Sequence, residues 1–300
     1  MAVKNIGRYE HGRPKGWAEW KPQAATAKIL SDILDVLETY KEHKPLTVRQ
    51  IFYRLVAQTG YGKTENKYRC LCEYLVKARR SKIIAFEDIR DDGITATEPP
   101  GWESPRSFIE AIKYHAESYS RNKQKRQTYR VIVLVEAAGM VPQIERIAND
   151  YGITVYSSSG FDSVTAKYKL SQAIEAENRQ TVVLHIGDYD PSGQCIADSA
   201  EDDIRAFLDD SRKMIFKRIL ITPEQIAAFN LPTAPAKKTD RRGNGIEETC
   251  QAEALAPDVL ARIVRSAIEE YIDFDVYNND LQQEKAEKNH LVAILNSVQV

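Results

Sequence analysis

Two short apolar runs that each end in acidic residues constrain the fold of this chain most strongly. Residues 131–135 are followed by Glu136, and residues 182–186 are followed closely by Asp188 and Asp190. Continuous runs of this length, rich in β-branched residues, are typical of strands that are covered on both faces of a sheet. Because ligands bind at the carboxyl ends of parallel strands, we expect these three carboxylates to converge at one edge of the sheet.

The three carboxylates, if held this close, repel one another, and a bound cation is the usual remedy. Oxygen ligands suit Mg²⁺, or Mn²⁺, better than zinc. We therefore predict a metal site formed by Glu136, Asp188 and Asp190. The alternative is that the acids cap the helices that follow, since aspartate is a common N-cap residue. A cap needs only one acid, and two acids separated by one residue of extended backbone point the same way.

Composition and cysteine content indicate a globular protein in a reducing compartment. The chain has 300 residues, of which 43% are hydrophobic, and this length suits two domains. No apolar run approaches the length of a membrane span, and the polar N-terminus does not resemble a signal peptide. The four cysteines lack the paired spacing of a zinc site, so we expect reduced thiols. We expect a cytoplasmic protein that associates with the nucleoid and not with a membrane.

The net charge of −1 conceals a strong asymmetry between the two halves of the chain. Residues 1–130 carry 25 Lys+Arg against 16 Asp+Glu, a net charge of +9. Residues 131–300 carry 17 against 27, a net charge of −10. Acidic residues alone would repel a phosphate backbone, whereas a basic domain attracts it. A basic front half beside an acidic, metal-binding half is therefore typical of an enzyme that acts on nucleic acid.

Changes of pattern along the chain divide it into four segments. These are an N-terminal arm (1–20), a front domain (21–97), a helical linker (98–128) and a back domain (129–300). The linker is predicted to be a helix with a basic end at residues 121–126, which is either a solvated terminus or a DNA contact. The predicted fold class is α/β with an α+β front domain.

The front domain is predicted to hold three short helices followed by a β ribbon. Apolar residues recur at helical spacing in each helix, and Thr47 is placed to cap the second. A strand at residues 82–86 and a turn at residues 91–93 would form the ribbon. This order is that of a winged helix, whose third helix lies in the major groove of DNA; a solvated basic helix face is the alternative. The predicted DNA-binding residues on the third helix are Lys67, Arg69, Lys77, Arg79 and Arg80.

Tyr53 departs from the apolar stripe of the second predicted helix. At 100° per residue it lies about 130° from the centre of that stripe, so we expect it to face outwards. Arg49 precedes it by one turn on the same side, where it can bind a phosphate or favour the phenolate. A catalytic tyrosine and an ordinary amphipathic surface tyrosine both fit this placement.

The back domain alternates strand and helix, which predicts a mostly parallel sheet built from right-handed βαβ units, followed by C-terminal helices. His185, inside the second acidic strand, is predicted to be a core histidine, with a ligand as the alternative. Glu253 is expected to be an ordinary exposed acid, with a further carboxylate of the site as the alternative. The basic loop at residues 231–245 is interpreted as a DNA-contacting or mobile segment. The C-terminal helices, at residues 257–272 and 281–298, could pair between protomers.

The acidic motifs resemble those of a known family. Glu136 at one strand end, then the run Gly187-Asp-Tyr-Asp190-Pro-Ser-Gly193 at another, is similar to the Toprim domain of topoisomerases, primases and some nucleases. The variant most resembles the A subunit of topoisomerase VI and its meiotic break-forming relatives. The run Arg49-Gln-Ile-Phe-Tyr53 resembles the Arg-Asp-Ile-Phe/Tyr-Tyr run on the winged helix of that family. The chain departs from the family at Gln50, where an acid is usual, and after Glu136, where a basic residue is often found.

This resemblance covers roughly residues 25–210 and implies an activity. Tyr53 would attack a DNA phosphodiester to give a 5′-phosphotyrosyl link, with Arg49 beside it and Mg²⁺ held by the three acids. The resemblance also implies a homodimer in which the tyrosine of one protomer meets the metal of the other. Strand passage would need a separate ATPase partner, because the chain contains no GxxxxGK[ST] run. Two alternatives stay open: a hydrolytic Toprim nuclease in which Tyr53 is structural, and a non-catalytic DNA-binding module.

Overall fold

The computed structural model describes residues 7–8, 17–90, 99, 101–157, 164–236 and 247–298. These residues form a mixed α/β fold with a parallel four-stranded sheet. The helices are α1 (Ala24–Thr39), α2 (Val48–Thr59), α3 (Glu65–Arg80), α4 (Pro105–Glu117), α5 (Val141–Asp150), α6 (Val164–Glu175), α7 (Pro191–Phe207), α8 (Pro223–Ala228), α9 (Pro257–Glu269) and α10 (Phe274–Ser297). The strands are β1 (Gly7–Arg8), β2 (Ala18–Glu19), β3 (Leu46–Thr47), β4 (Ile89–Arg90), β5 (Arg130–Val135), β6 (Thr154–Ser157), β7 (Thr181–Ile186), β8 (Met214–Leu220), β9 (Ala234–Pro235) and β10 (Glu248–Thr249).

The front helices α1, α2 and α3 form where apolar periodicity predicts them. Ile33, Ile51, Leu55 and Leu75 are fully buried in their shared core. Thr47 begins α2 with a capping box, because its hydroxyl accepts from the Gln50 N–H while its own N–H donates to the Gln50 side chain. The predicted cap is thus confirmed, and it fixes the start of the helix that carries Tyr53.

The β strand predicted at residues 82–86 is wrong. The chain leaves α3 through a tight turn, forms a short 3₁₀ turn at Phe86–Asp88 and pairs only as β4. That strand runs parallel to β3, with Ile89 opposite Leu46, whereas the predicted ribbon would be antiparallel. The predicted turn at residues 91–93 lies outside the described residues, as does most of the N-terminal arm.

The central sheet has the strand order β6-β5-β7-β8, and every pair in it is parallel. Every residue of β7 is buried, which explains why the apolar runs are continuous. On one face, α6 and α7 pack over Ile132 and Val183. On the other, α5 and α9 pack over Val133 and Leu184, and this core continues without interruption into that of the front helices. The front helices are therefore fixed against one face of the sheet.

The basic end of the predicted linker is neither a solvated terminus nor a free basic surface. Helix α4 ends at Glu117, and Arg121 and Arg126 both donate to Asp280 of α10, at 3.2 and 2.7 Å. Asp280 is 1% exposed. The acids of the C-terminal helix therefore neutralise part of this basic segment and hold it against α10. Within the described residues, no helix combines the length and the apolar character needed to cross a membrane.

Candidate active site

Glu136 and Asp190 converge at the start of α7, as the sequence predicts. Glu136 directly follows β5, and its Oε2 accepts a hydrogen bond from the Asp188 N–H at 3.3 Å. Asp190 caps α7 through a 2.5 Å bond from the Gly193 N–H to its Oδ1. A Cβ added to Gly193 would lie 3.2 Å from both Glu136 Oε2 and Asp190 Oδ1. One added at Gly187 would overlap the Glu136 carboxylate, so the close approach of these acids requires glycine.

Asp188 joins this edge of the sheet to a distant part of the chain. Its Oδ1 accepts a hydrogen bond from the Ala252 N–H at 2.8 Å. Beside it, Tyr189 and Cys250 exchange two backbone hydrogen bonds of 2.8 Å as an isolated antiparallel bridge. These contacts fix the segment that follows β10 over the carboxyl end of β7, next to Asp188.

Burial and mutual repulsion dominate the electrostatics of the acids. Burial, followed by the charges of Asp188 and Asp190, raises the pKa of Glu136 to about 7. Burial also raises the pKa of Asp188. Arg49 and Arg218 provide nearby positive charge, and the Arg218 guanidinium donates to the Asp188 carbonyl. The site therefore carries an excess of negative charge in a partly buried position.

The acids fit a hard divalent cation in donor chemistry and in charge. Carboxylate oxygens are the ligands that Mg²⁺ and Mn²⁺ prefer, and a cation would relieve the repulsion that raises these pKa values. Over the described ranges, no group of three or more His, Cys, Asp or Glu side chains is arranged as a formed metal site. The capping alternative also holds for Asp190, which both caps α7 and faces Glu136.

Tyr53 and Arg49 border the same cavity as Asp190. The cavity has a volume of about 480 Å³ and lies between the front helices and the acidic edge of the sheet. Its lining includes Arg49, Tyr53, Lys63, Tyr68, Asp190 and Gln251. The resemblance implies that the tyrosine of one protomer meets the acids of another, but here Tyr53 and Asp190 border one cavity within a single chain.

Tyr53 does not face outwards, so that expectation is wrong. Its side chain is 7% exposed, and its hydroxyl donates to Gln251 Oε1 at 2.7 Å. The segment after β10 packs on the second face of α2, which a single apolar stripe does not reveal. Burial raises the pKa of Tyr53 to about 12, although the charge of Arg49 acts to lower it. The predicted effect of Arg49 is thus present but is outweighed by burial.

Glu253 is buried, and the expectation that it is exposed is also wrong. It is 7% exposed, and its Oε1 accepts from the Thr47 hydroxyl at 2.6 Å. Its Oε2 lies 3.9 Å from the Arg49 Nε. Glu253 therefore connects the cap of α2 to the arginine beside the tyrosine.

Sequence analysis missed Lys63 and Gln251, which lie in irregular segments. The Lys63 Nζ donates to the Thr233 carbonyl and lies 5.7 Å from the centroid of the Tyr53 ring. Burial lowers the pKa of Lys63. Neither residue belongs to a periodic pattern. The only sequence signal for Gln251 was its position shortly after the basic loop at residues 231–245.

The predicted DNA-binding residues of α3 divide into two groups. Lys67 and Arg69 are exposed, and Lys77 and Arg80 are half-buried. Arg79 is only 6% exposed, because it lies on the stripe that faces the core, and its guanidinium is 5.5 Å from the centroid of the Phe86 ring. Arg79 is therefore not part of an exposed basic face. Residues 237–246, most of the predicted basic loop, lie outside the described residues.

His185 is a core histidine, as predicted. It is 1% exposed, and its ring stacks on Phe216 with centroids 5.6 Å apart. Burial, reinforced by the charge of Arg218, lowers its pKa to about 3. The imidazole is thus neutral at physiological pH.

Comparison of the chain with models of known protein families and with the sequences of curated proteins found no match. The candidate site is accordingly defined by its own geometry: a buried tyrosine, two cations and Asp190 border one cavity, and Asp190 lies close to Glu136.

Proposed function

We propose that this protein cleaves double-stranded DNA in a Mg²⁺-dependent reaction in which the Tyr53 hydroxyl attacks a phosphodiester. The observation that carries the proposal is that Tyr53, Arg49 and Asp190 border one cavity. Attack forms a bond between the tyrosine oxygen and the 5′-phosphate and breaks the bond to the 3′ oxygen. The phenol loses its proton, and the 3′ oxygen leaves as a hydroxyl after taking one up.

The residues around the cavity suit the separate tasks of this reaction. Arg49 and Lys63 supply positive charge for the non-bridging phosphate oxygens. Glu136, Asp188 and Asp190 would hold Mg²⁺, or Mn²⁺, which supplies charge stabilisation for the leaving oxygen. Glu253 keeps Arg49 beside the tyrosine through its contacts with both Thr47 and the arginine.

Each domain of the chain would have its own role in this reaction. Residues 21–97 would act as a DNA-binding domain through the three helices of a winged helix, without the strand predicted at residues 82–86. Residues 129–300 would act as a Toprim domain, as the resemblance to the topoisomerase VI A subunit implies. A homodimer would cut both strands, with each site formed within one chain. A separate ATPase would be the partner for strand passage, and the protein would act at the nucleoid.

Tyr53 is protonated and held by Gln251 in the state described here. Attack therefore requires the tyrosine to leave Gln251 as DNA enters the cavity, and a phosphate between Arg49 and Lys63 would compensate for the lost hydrogen bond. Gln251 thus holds the nucleophile in a resting position.

The test is cleavage of supercoiled plasmid with Mg²⁺, stopped with detergent and analysed with and without proteinase. We expect nicked or linear DNA to enter the gel only after proteolysis. Tyr53→Phe should abolish it, whereas the matched control Tyr114→Phe, at a 73% exposed tyrosine on α4, should cleave like the wild type. Protein-free ends formed equally by Tyr53→Phe would contradict the covalent mechanism.

A hydrolytic nuclease is the second candidate, and the burial of Tyr53 favours it. A tyrosine that is 7% exposed and hydrogen-bonded to Gln251 has the contacts of a structural residue. Water would then be the nucleophile, and Asp188→Asn would be inactive while Tyr53→Phe would stay active in the same assay.

A further inference from the structure

A compact surface of aromatic and basic side chains lies at the C-terminal end of α3, away from the cavity. Trp17 and Phe86 are 45% and 48% exposed, and their rings meet edge to face with centroids 5.8 Å apart. The Lys82 Nζ lies 4.8 Å from the Trp17 ring, and the Arg79 guanidinium supports the Phe86 ring from the protein side. We call these four residues the aromatic surface.

Lys82 occupies a backbone position that normally favours glycine. Its φ is +62°, in the left-handed region. Around it, the Ile83 N–H donates to the Ala78 carbonyl at 2.9 Å and the Lys82 N–H to the Arg79 carbonyl at 3.1 Å. This is the Schellman closure of a helix, in which the left-handed residue is most often glycine because a Cβ there is unfavourable. A lysine at this position therefore carries a conformational cost, and its side chain lies over Trp17.

Among the residues that the structure describes, no cation lies over the rings of a second exposed Trp–Phe pair. Trp102 and Phe108 are 52% and 42% exposed, with ring centroids 5.3 Å apart. The ion pair beside them, Arg106 with Glu110 at 3.0 Å, is neutral overall. The two pairs match in exposure and ring geometry and differ in the cations that accompany them.

We propose that the aromatic surface binds unpaired nucleic-acid bases. Exposed aromatic rings stack with bases of any sequence, and neighbouring cations bind the phosphates of the same strand. With Lys82 near one side of the Trp17 indole, the exposed remainder of that ring is accessible to a base. The front of the chain, with 18 Lys+Arg against 10 Asp+Glu over residues 1–90, favours a polyanion over an apolar peptide as the occupant.

Helix α3 connects this surface to the cavity. Tyr68 lines the cavity near the start of α3, and Arg79 lies near its end. Eleven residues of helix span roughly 16 Å. Between them α3 exposes Arg69, with Lys77 half-buried. A nucleic-acid strand that reaches the cavity can therefore extend along α3 to the aromatic surface. Binding at the aromatic surface requires no cleavage.

The test is equilibrium binding of labelled oligothymidylate and of a duplex of the same length, without divalent cations and in the Tyr53→Phe background. Trp17→Ala should weaken single-strand binding roughly tenfold, as expected for one lost base stack. Trp102→Ala, the matched control, should bind like its parent. Equal affinities of the Trp17→Ala and Trp102→Ala proteins would overturn the proposal, as would a duplex that binds as tightly as the single strand and responds equally to Trp17→Ala. Because the background is unable to form the tyrosyl link, failure of the cleavage proposal leaves this test intact.

The substitution Lys82→Gly distinguishes a role of Lys82 in nucleic-acid binding from a role in folding. Glycine suits the left-handed position, so we expect a melting temperature equal to or above that of the parent. Single-strand binding should nevertheless weaken, and its logarithmic salt dependence should decrease by about 0.7, the value for one phosphate contact. Unchanged binding and salt dependence would overturn the role of Lys82. A lower melting temperature would show that the lysine is retained for folding and would likewise overturn it.

Discussion

At the scale of single residues, the charge of Glu136 governs the candidate site. Its pKa is raised from 4.5 to about 7 by burial and by the two neighbouring aspartates. A carboxyl group with a raised pKa contributes stability that is fully present below the unfolded value of about 4.5 and is lost as the pH rises through about 7. The acidic site therefore costs stability at neutral and alkaline pH when no cation is bound.

Glu136→Gln should remove this cost. In chelator, the variant should exceed the wild type in free energy of unfolding at pH 8 by about 1–2 kcal/mol, after allowance for solvent screening of a partly exposed group. At pH 4 the two should be nearly equal, because the wild-type carboxyl is then mostly protonated in both the folded and the unfolded state. Urea unfolding at both pH values measures this. Glu145→Gln, at an exposed glutamate on α5, is the matched control. An identical pH dependence of the free energy of unfolding in the wild type and Glu136→Gln would contradict this explanation. At pH 8, Mg²⁺ should stabilise only the wild type.

Local sequence predicted the acids better than it predicted their partners. Glu136 and Asp190 are recognisable because each follows an apolar strand. Glu253 and Gln251 are not, since their contacts with Thr47 and Tyr53 join residues 206 and 198 positions apart. The orientation of Tyr53 was missed for the same reason: helical periodicity identifies one buried face, and the second is created by a distant segment.

At the scale of secondary-structure elements, one buried aspartate holds the linker against α10. Asp280 is 1% exposed and accepts from both Arg121 and Arg126. Helix α4 packs along α10 in the same region. A charge at this depth is tolerated because two guanidinium groups bind it. Removal of the charge takes this partner from both arginines, of which Arg121 keeps its ion pair with Glu287.

Asp280→Asn should therefore destabilise the fold by about 2–3 kcal/mol, less than for a fully buried pair because the arginines are partly exposed. Chemical unfolding measures the change. Glu110→Gln is the matched control, since it breaks an exposed pair of two residues on α4 and should change stability by less than about 0.5 kcal/mol. A similar effect of the two substitutions would show that Asp280 has no special role.

Elements with a clear sequence signal were predicted nearly to their ends, including α9, which begins at the predicted Pro257, and the sheet strands β5 and β7. The strand predicted at residues 82–86 failed because the turn that replaces it has no glycine to signal it. Lys82 takes the left-handed conformation instead, so the composition of the stretch resembled that of a strand. Secondary-structure propensities do not identify a residue that adopts an unusual backbone conformation.

At the scale of the whole molecule, the front helices and the sheet share one continuous core. Gln50 on α2 donates to Gln143 on α5 at 2.6 Å across this junction. The alternation of strand and helix predicted the parallel sheet, but local patterns carry no information on how the front domain docks onto it. That docking brings Tyr53 and Asp190 to one cavity.

Mixing two inactive variants tests whether the site is formed within one chain. If tyrosine and acids act in the same chain, a mixed dimer of Tyr53→Phe and Asp188→Asn has no complete site, and plasmid nicking should stay at background. A dimer that joins the tyrosine of one protomer to the acids of the other would regain one complete site and nick the plasmid. Each variant mixed with wild-type protein controls for exchange of subunits.

Mass spectrometry of the protein after reaction with a short duplex shows whether Tyr53 becomes covalently joined to DNA. We expect a peptide containing Tyr53 that carries a nucleotide through its 5′-phosphate. The adduct should need Mg²⁺ or Mn²⁺ and should be absent from Asp188→Asn. Cleaved duplex with free 5′-phosphate ends, and no modified tyrosine, would contradict the account and identify the protein as a hydrolytic nuclease.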